Sequence, residues 1–176
     1  MNMKKAKTIV AASIFFALLV GSVKAENDRP LHEIHSMMVF NFVKYINWPA
    51  HSISGEFIIG VVGSDDVYNT LKSWYQNKNI GSQKILVKKF NSASEITDCH
   101  VIYVGKDGNK DFDLIKSKTE GKSTLIVTDK AGFGAKGSGI NFKTVEGKLK
   151  FELNQAAIEK AHLKVSSQLT GMAIII

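Results

Sequence analysis

Short apolar strands alternate with capped amphipathic segments along the middle of this 176-residue chain. That pattern predicts an α/β fold: a single-domain, Rossmann-like, mostly parallel sheet flanked by helices and closed by a C-terminal antiparallel hairpin. Three observations carry it. Runs such as FIIGVVG (residues 57–63) show no alternation, as in strands buried on both faces. The segments between them have helix caps and 3.6-type spacing. The last third then alternates lysines with apolar residues around a Glu146-Gly147 turn.

The elements follow in order. Residues 1–25 read as a secretory leader: a basic start (MNMKKAK), an apolar run (8–22), then Val23 and Ala25 at positions −3 and −1 of a cleavage site. The run is shorter than the roughly 20 residues that span a bilayer. Cleavage after Ala25 leaves one exported domain, 26–176, with no direct membrane insertion. Residues 31–47 read as a helix, with Asp28 or Asn27 as cap and Pro49 as stop. Its stripe is Leu31, Ile34, Met38, Phe42 and Tyr45, widened by Met37 and Ile46. The first strand is 57–63. A helix follows over 64–78, capped by Ser64 or Asp65, with Val67, Leu71 and Trp74 on one face. Strands over 84–90, 100–105 and 123–129 alternate with a helix at 112–118. This order predicts right-handed parallel crossovers. Strands 139–142 and 148–154 form the hairpin, with Lys148, Lys150 and Glu152 on its wet face. Asn154 caps a helix, and the final apolar segment packs back or forms a short helix.

Charge and cysteine narrow the function. The whole chain carries +7, but four of its 23 basic residues lie in the leader, so 19 against 16 acids leave +3. With one arginine in the chain (Arg29) and no basic run interleaved with aromatics, nucleic acid is not an expected partner. Lys84, Lys88 and Lys89 read as a solvated strand edge. Cys99 is alone, so no intrachain disulfide forms. Its apolar neighbours favour burial over pairing between chains.

No motif points firmly to catalysis. His32, Glu33 and His35 share one helical turn, and His51, Cys99 and His100 lie elsewhere; none makes a zinc constellation, so no metal or cofactor is expected. No serine sits in a G-x-S-x-G elbow. Residues 134–139 (GAKGSG) lack the context of a phosphate-binding loop and read as a flexible entry to the hairpin. Glu95, Asp98, Asp107, Asp111 and Asp113 read as loop and helix-start acids. The strand-end junctions carry more weight, because open α/β sheets bind ligands at the carboxyl ends of strands. They are Gly63, Ser64 and Asp65 after the first strand, Gly105 and Lys106 after the third, and Thr128 and Asp129 after the fourth. These are the candidate small-molecule residues.

NFVKYINWP, FIIGVVGSDDVYNTL, CHVIYVG, STLIVTDKAGF, GINF and KLKFELNQAAIEKAHLKVSSQL, in that order, resemble the YfiR family (YfiR/HmsC-like periplasmic regulators) over about residues 37–173. The resemblance implies a Rossmann-like domain in the Gram-negative periplasm that is a regulator and not an enzyme. It implies binding to the periplasmic part of a membrane signalling protein, a diguanylate cyclase or sensor kinase, with effects on cyclic-di-GMP and biofilm formation. Dimerisation is also implied. Of the cysteines that form disulfides in some members, this chain matches one, at Cys99. The alternative is a periplasmic small-molecule-binding module using the strand-end junctions; a hydrolytic or metal enzyme comes third.

The stretch FNFVKYINWP (40–49) divides in this reading. Phe42, Tyr45 and Ile46 face the core. Val39, Phe40, Val43 and Trp48 fall outside the stripe and are the candidate partner or dimer surface.

Overall fold

The computed structural model describes residues 29–176; the leader and the residues expected to cap the first helix lie outside them. Helix α1 (Leu31–Tyr45) starts after Pro30 and ends ahead of Pro49. Its last expected residues, Ile46–Asn47, instead form a short strand β1, antiparallel to β9 (Lys164–Val165). Strand β2 (Phe57–Val62) leads into α2 (Asp65–Tyr75), where the Ser64 hydroxyl accepts from Val67 N–H and so is the cap. Strands β3 (Asn79–Ile80), β4 (Gln83–Phe90) and β5 (Val101–Val104) follow. Then come α3 (Phe112–Thr119), β6 (Leu125–Thr128), β7 (Ile140–Val145) and β8 (Lys148–Leu153). The chain closes with α4 (Gln155–Lys160), β9, α5 (Ser167–Met172) and β10 (Ile174–Ile175).

The main sheet has the order β10-β8-β7-β6-β5-β2-β4-β3. Strands β4, β2, β5, β6 and β7 are mutually parallel. β8 turns back antiparallel on β7, and β10 lies parallel to β8 at the edge. The β7–β8 turn is Glu146-Gly147, both at positive φ (50° and 73°), the conformation that follows the twist of a two-residue hairpin. One core lies between the sheet and α1, α2, α4 and α5; a second lies between the other face and α3. Strands buried on both faces explain the uninterrupted apolar runs.

Two expectations need correcting. The inner face of α1 is His35, Ser36, Val39, Phe42 and Val43, while Leu31 and Met37 are exposed. Counting apolar residues rotates the helix wrongly, because two polar residues sit inside with partners: Ser36 Oγ donates to the His32 carbonyl, and His35 bonds Tyr103. Glu152, expected on the wet face of the hairpin, is buried at 8% exposure. The face is wet only near the turn, where Lys148 and Lys150 are exposed.

Candidate functional site

In the parallel sheet the chain leaves β2 for β4 on one side and then crosses to β5 on the other. The carboxyl ends of β2 and β5 therefore mark the switch point where open α/β sheets form a crevice. Gly63 and Gly105 stand there, as the sequence indicates. The chain fills the crevice itself. A short 3₁₀ turn, Lys106–Asp111, folds back over it: Asp107 N–H donates to the Gly63 carbonyl (3.2 Å) and Gly105 N–H to the Val62 carbonyl (2.8 Å). A Cβ on Gly63 would lie 2.0 Å from Gly108 N, and one on Gly105 would lie 2.5 Å from both Gly63 O and Ser64 Cβ. These glycines are spent on backbone-to-backbone packing. Ser64 caps α2, Asp65 pairs with Lys89 at 2.8 Å, and Lys106 is exposed on the turn.

Thr128 and Asp129 belong to two buried polar chains on opposite faces of the sheet. The first joins α1 to the end of β6. Tyr103 Oη donates to Asp129 Oδ2 (2.9 Å), and His35 Nδ1 lies 2.8 Å from the same hydroxyl. Because the phenolic proton goes to Asp129, His35 donates from Nδ1. Its Nε2 is a lone pair with no partner among the described residues, buried while the ring stacks flat on Phe142 at 4.0 Å. Burial, helped by the nearby His32, lowers the His35 pKa from 6.5 to about 4, so the ring is neutral at ordinary pH. Burial also pushes up Tyr103, with the Asp129 charge adding to it. Burial raises Asp129 too, against the lowering effect of the Tyr103 hydrogen bond.

The second chain runs from β6 to β8. The Thr128 hydroxyl lies 2.9 Å from Ser138 Oγ and 2.7 Å from Asn141 Oδ1. Asn141 Nδ2 donates to Glu152 Oε2 (2.9 Å), and Lys143 Nζ donates to Oε1 (2.8 Å). Burial works to raise the Glu152 pKa, but the bonds from Lys143 and Asn141 prevail and hold it below its ordinary value. The loop before β7 closes over this carboxylate; a Cβ at Gly134 would lie 2.6 Å from Oε2. That loop is ordered by its own turns, including Ser138 N–H to the Phe133 carbonyl. His35, Tyr103, Ser138, Asn141 and Glu152 were missed as a group. The one available signal was polar residues interrupting otherwise apolar elements, as Tyr103 does in VIYV and Asn141 in GINF.

Of the four proposed surface residues, two are buried and two, Phe40 and Trp48, are half-buried. Val39 and Val43 are core, at 1% and 2% exposure. Phe40 stacks on Tyr75 at 4.0 Å under the Lys44 ammonium. Trp48 donates its indole N–H to the Ser123 carbonyl (3.0 Å) and meets Phe57 edge-on. The α1 rotation that buries His35 and Ser36 carries Val39 and Val43 inward with them. His100 locks the base of the sheet: Ile58 N–H donates to its Nδ1, and its Nε2 lies 2.7 Å from the Ser52 carbonyl. Cys99 is buried, and burial raises its pKa to about 12. No helix among the described residues is long and apolar enough to cross a membrane.

Fold and site define an α/β domain whose switch-point crevice is closed by its own loops and whose buried polar groups bond chiefly to one another. The chain belongs to the YfiR/HmsC-like family, whose model matches residues 32–174. No curated protein matches it. Among solved structures it is similar to a conserved domain protein from Vibrio cholerae O1 biovar El Tor, at 12% identity and a TM-score of 0.51. The match covers 84% of this chain and 60% of that one, a likeness of fold.

Proposed function

We propose that this is an exported periplasmic regulator that binds and restrains a membrane signalling protein, a diguanylate cyclase or a sensor kinase, and so affects cyclic-di-GMP and biofilm signalling. The observation that carries it is the family match across residues 32–174. The site agrees with action by binding: Gly63 and Gly105 pack against backbone, and Thr128 and Asp129 are tied into internal chains. A small-molecule module built on the strand ends is the weaker reading, because the turn at Lys106–Asp111 occupies that crevice. The test joins two measurements. Immobilised mature protein should capture an inner-membrane signalling protein through its periplasmic part, and deletion of the gene should raise cyclic-di-GMP. Failure to capture, with unchanged cyclic-di-GMP, refutes the proposal.

A further inference from the structure

Between Pro49 and β2, residues 50–56 form an exposed strap in which only Ser52 is half-buried. Its own turn closes through Ser52 N–H to the Pro49 carbonyl and Ile53 N–H to the Ala50 carbonyl. Among the described residues, two side chains tether the strap to the sheet. Gln83 Nε2 donates to the Ser52 and Ser54 carbonyls, both at 3.2 Å. His100 Nε2 lies 2.7 Å from the Ser52 carbonyl.

The His100 ring holds its two bonds in one protonation state only. A carbonyl can only accept, so Nε2 carries a proton towards Ser52. A backbone N–H can only donate, so Nδ1 offers its lone pair to Ile58 N–H at 3.0 Å. The ring is therefore the neutral imidazole with its proton on Nε2. A second proton, at Nδ1, would set one N–H against another. The backbone on both sides is held in the sheet: His100 N–H donates to the Ile58 carbonyl (2.9 Å), and Leu125 N–H donates to the His100 carbonyl (2.8 Å). The ring is thus the part that gives way. As it turns out, Nε2 leaves Ser52, and Phe57, on which the ring stacks at 4.4 Å, loses that contact.

We propose that His100 is an acid-released latch: a proton taken up at Nδ1 breaks the bond from Ile58, swings the ring out and frees the strap at residues 50–56. Histidine suits this role because its charge changes at mildly acid pH, and an exposed segment with few tethers opens locally at low cost. The titratable groups on the segments that meet the ring are His51 on the strap, Glu56 ahead of β2, Lys84 on β4, Asp98 ahead of β5 and Lys122 ahead of β6. Asp98 and Lys122 pair with each other at 2.7 Å. None of these charges shifts His100; burial lowers its pKa, and the bond to the Ser52 carbonyl works the other way. Gln83 does not titrate, so release loosens the strap and leaves one tether in place. The latch does not depend on the regulatory reading above.

Nuclear magnetic resonance on the purified protein at pH 7.5 and 5.5 tests it. At pH 7.5 the ring ¹⁵N shifts should show His100 Nδ1 bare and Nε2 protonated. Hydrogen-exchange protection of the Ser52, Ile53 and Ile58 amides should fall about tenfold by pH 5.5. That is the ratio expected when the released ring titrates near 6.5 and the latched ring stays neutral. His100→Asn keeps an acceptor near Ile58 N–H that does not titrate, and it retains His35 and every other titrating group. Protection of the three amides should then differ little between the two pH values. A proton on Nδ1 at pH 7.5, protection that does not fall in the parent, or an equal fall in the variant would overturn the latch. The first two results are read on the parent alone, so they decide the question even where the variant fails to fold.

Discussion

Replacing His35 should remove much of the protein's sensitivity to mild acid. The ring is 3% exposed, its pKa is lowered to about 4, and its Nε2 has no acceptor among the described residues to receive a proton's hydrogen bond. In the unfolded chain it titrates near 6.5. About a pH unit above 6.5 both states are neutral and the group adds no penalty. As pH falls from 6.5 towards 4, the unfolded state takes the proton first and stability is lost. Between pH 7.5 and 4.5 this amounts to about 2.5 kcal/mol, on the order of a sixth to a half of a typical domain's stability. Other groups titrate nearby. His100, also lowered by burial, adds a loss of the same sign. Asp129, raised by burial, opposes it, because the folded state then binds its proton first. Glu152, held low, contributes a loss at more acid pH. Comparison with His35→Phe cancels most of these, since the variant keeps His100, Asp129 and Glu152 and preserves stacking on Phe142. Urea unfolding at both pH values reads the difference. The parent should lose about 2.5 kcal/mol more than the variant over this interval. Equal losses would refute the reading that His35 is buried and neutral.

Three other perturbations have clear outcomes. Gly63→Ala should cost at least about 3 kcal/mol, because the Cβ meets Gly108 N and φ is +72°; Gly81→Ala, with φ +56° and open space, should cost about 1 kcal/mol by the same urea assay. Similar costs at the two sites would mean the crevice is not filled. Val39→Asp should cost more than about 4 kcal/mol by burying an unpaired charge, seen as lost helical circular dichroism at room temperature. A folded Val39→Asp protein with weakened association would restore Val39 to the surface. Cys99, buried and with its pKa raised to about 12, should resist Ellman's reagent at pH 8 in the native protein and react fully in denaturant. Rapid native labelling would contradict its burial.

The fold was legible where one physical force dominates. FIIGVVG, VIYV and LIVT are strands buried on both faces, and the sequence shows it because nothing polar interrupts the burial except Tyr103 and Thr128. The hairpin was legible through Glu146-Gly147, a pair suited to two successive positive φ angles. Helix α1 was legible as a helix but not in its rotation. A hydrophobic count assigns His35 and Ser36 to water, and only a partner 68 residues away, Tyr103, makes the histidine acceptable inside. Glu152 fails for the same reason: alternation sends it outward, while Asn141 and Lys143 across the hairpin satisfy it. Long-range polar pairing leaves no local trace, so the chains through Asp129 and Thr128 could be read only as separate residues.

The strand-end glycines show how one local signal serves opposite ends. A glycine after a parallel strand marks a place where something approaches the backbone closely; the sequence does not say what. At Gly63 the approaching group is Gly108 N of the same chain, so the turn takes the position a ligand holds in an open sheet. That filling ties β2 to β5 at the switch point, and His35–Tyr103–Asp129 ties α1 to β5 and β6 on the face below. A domain braced in this way uses its strand-end glycines for packing between its own loops.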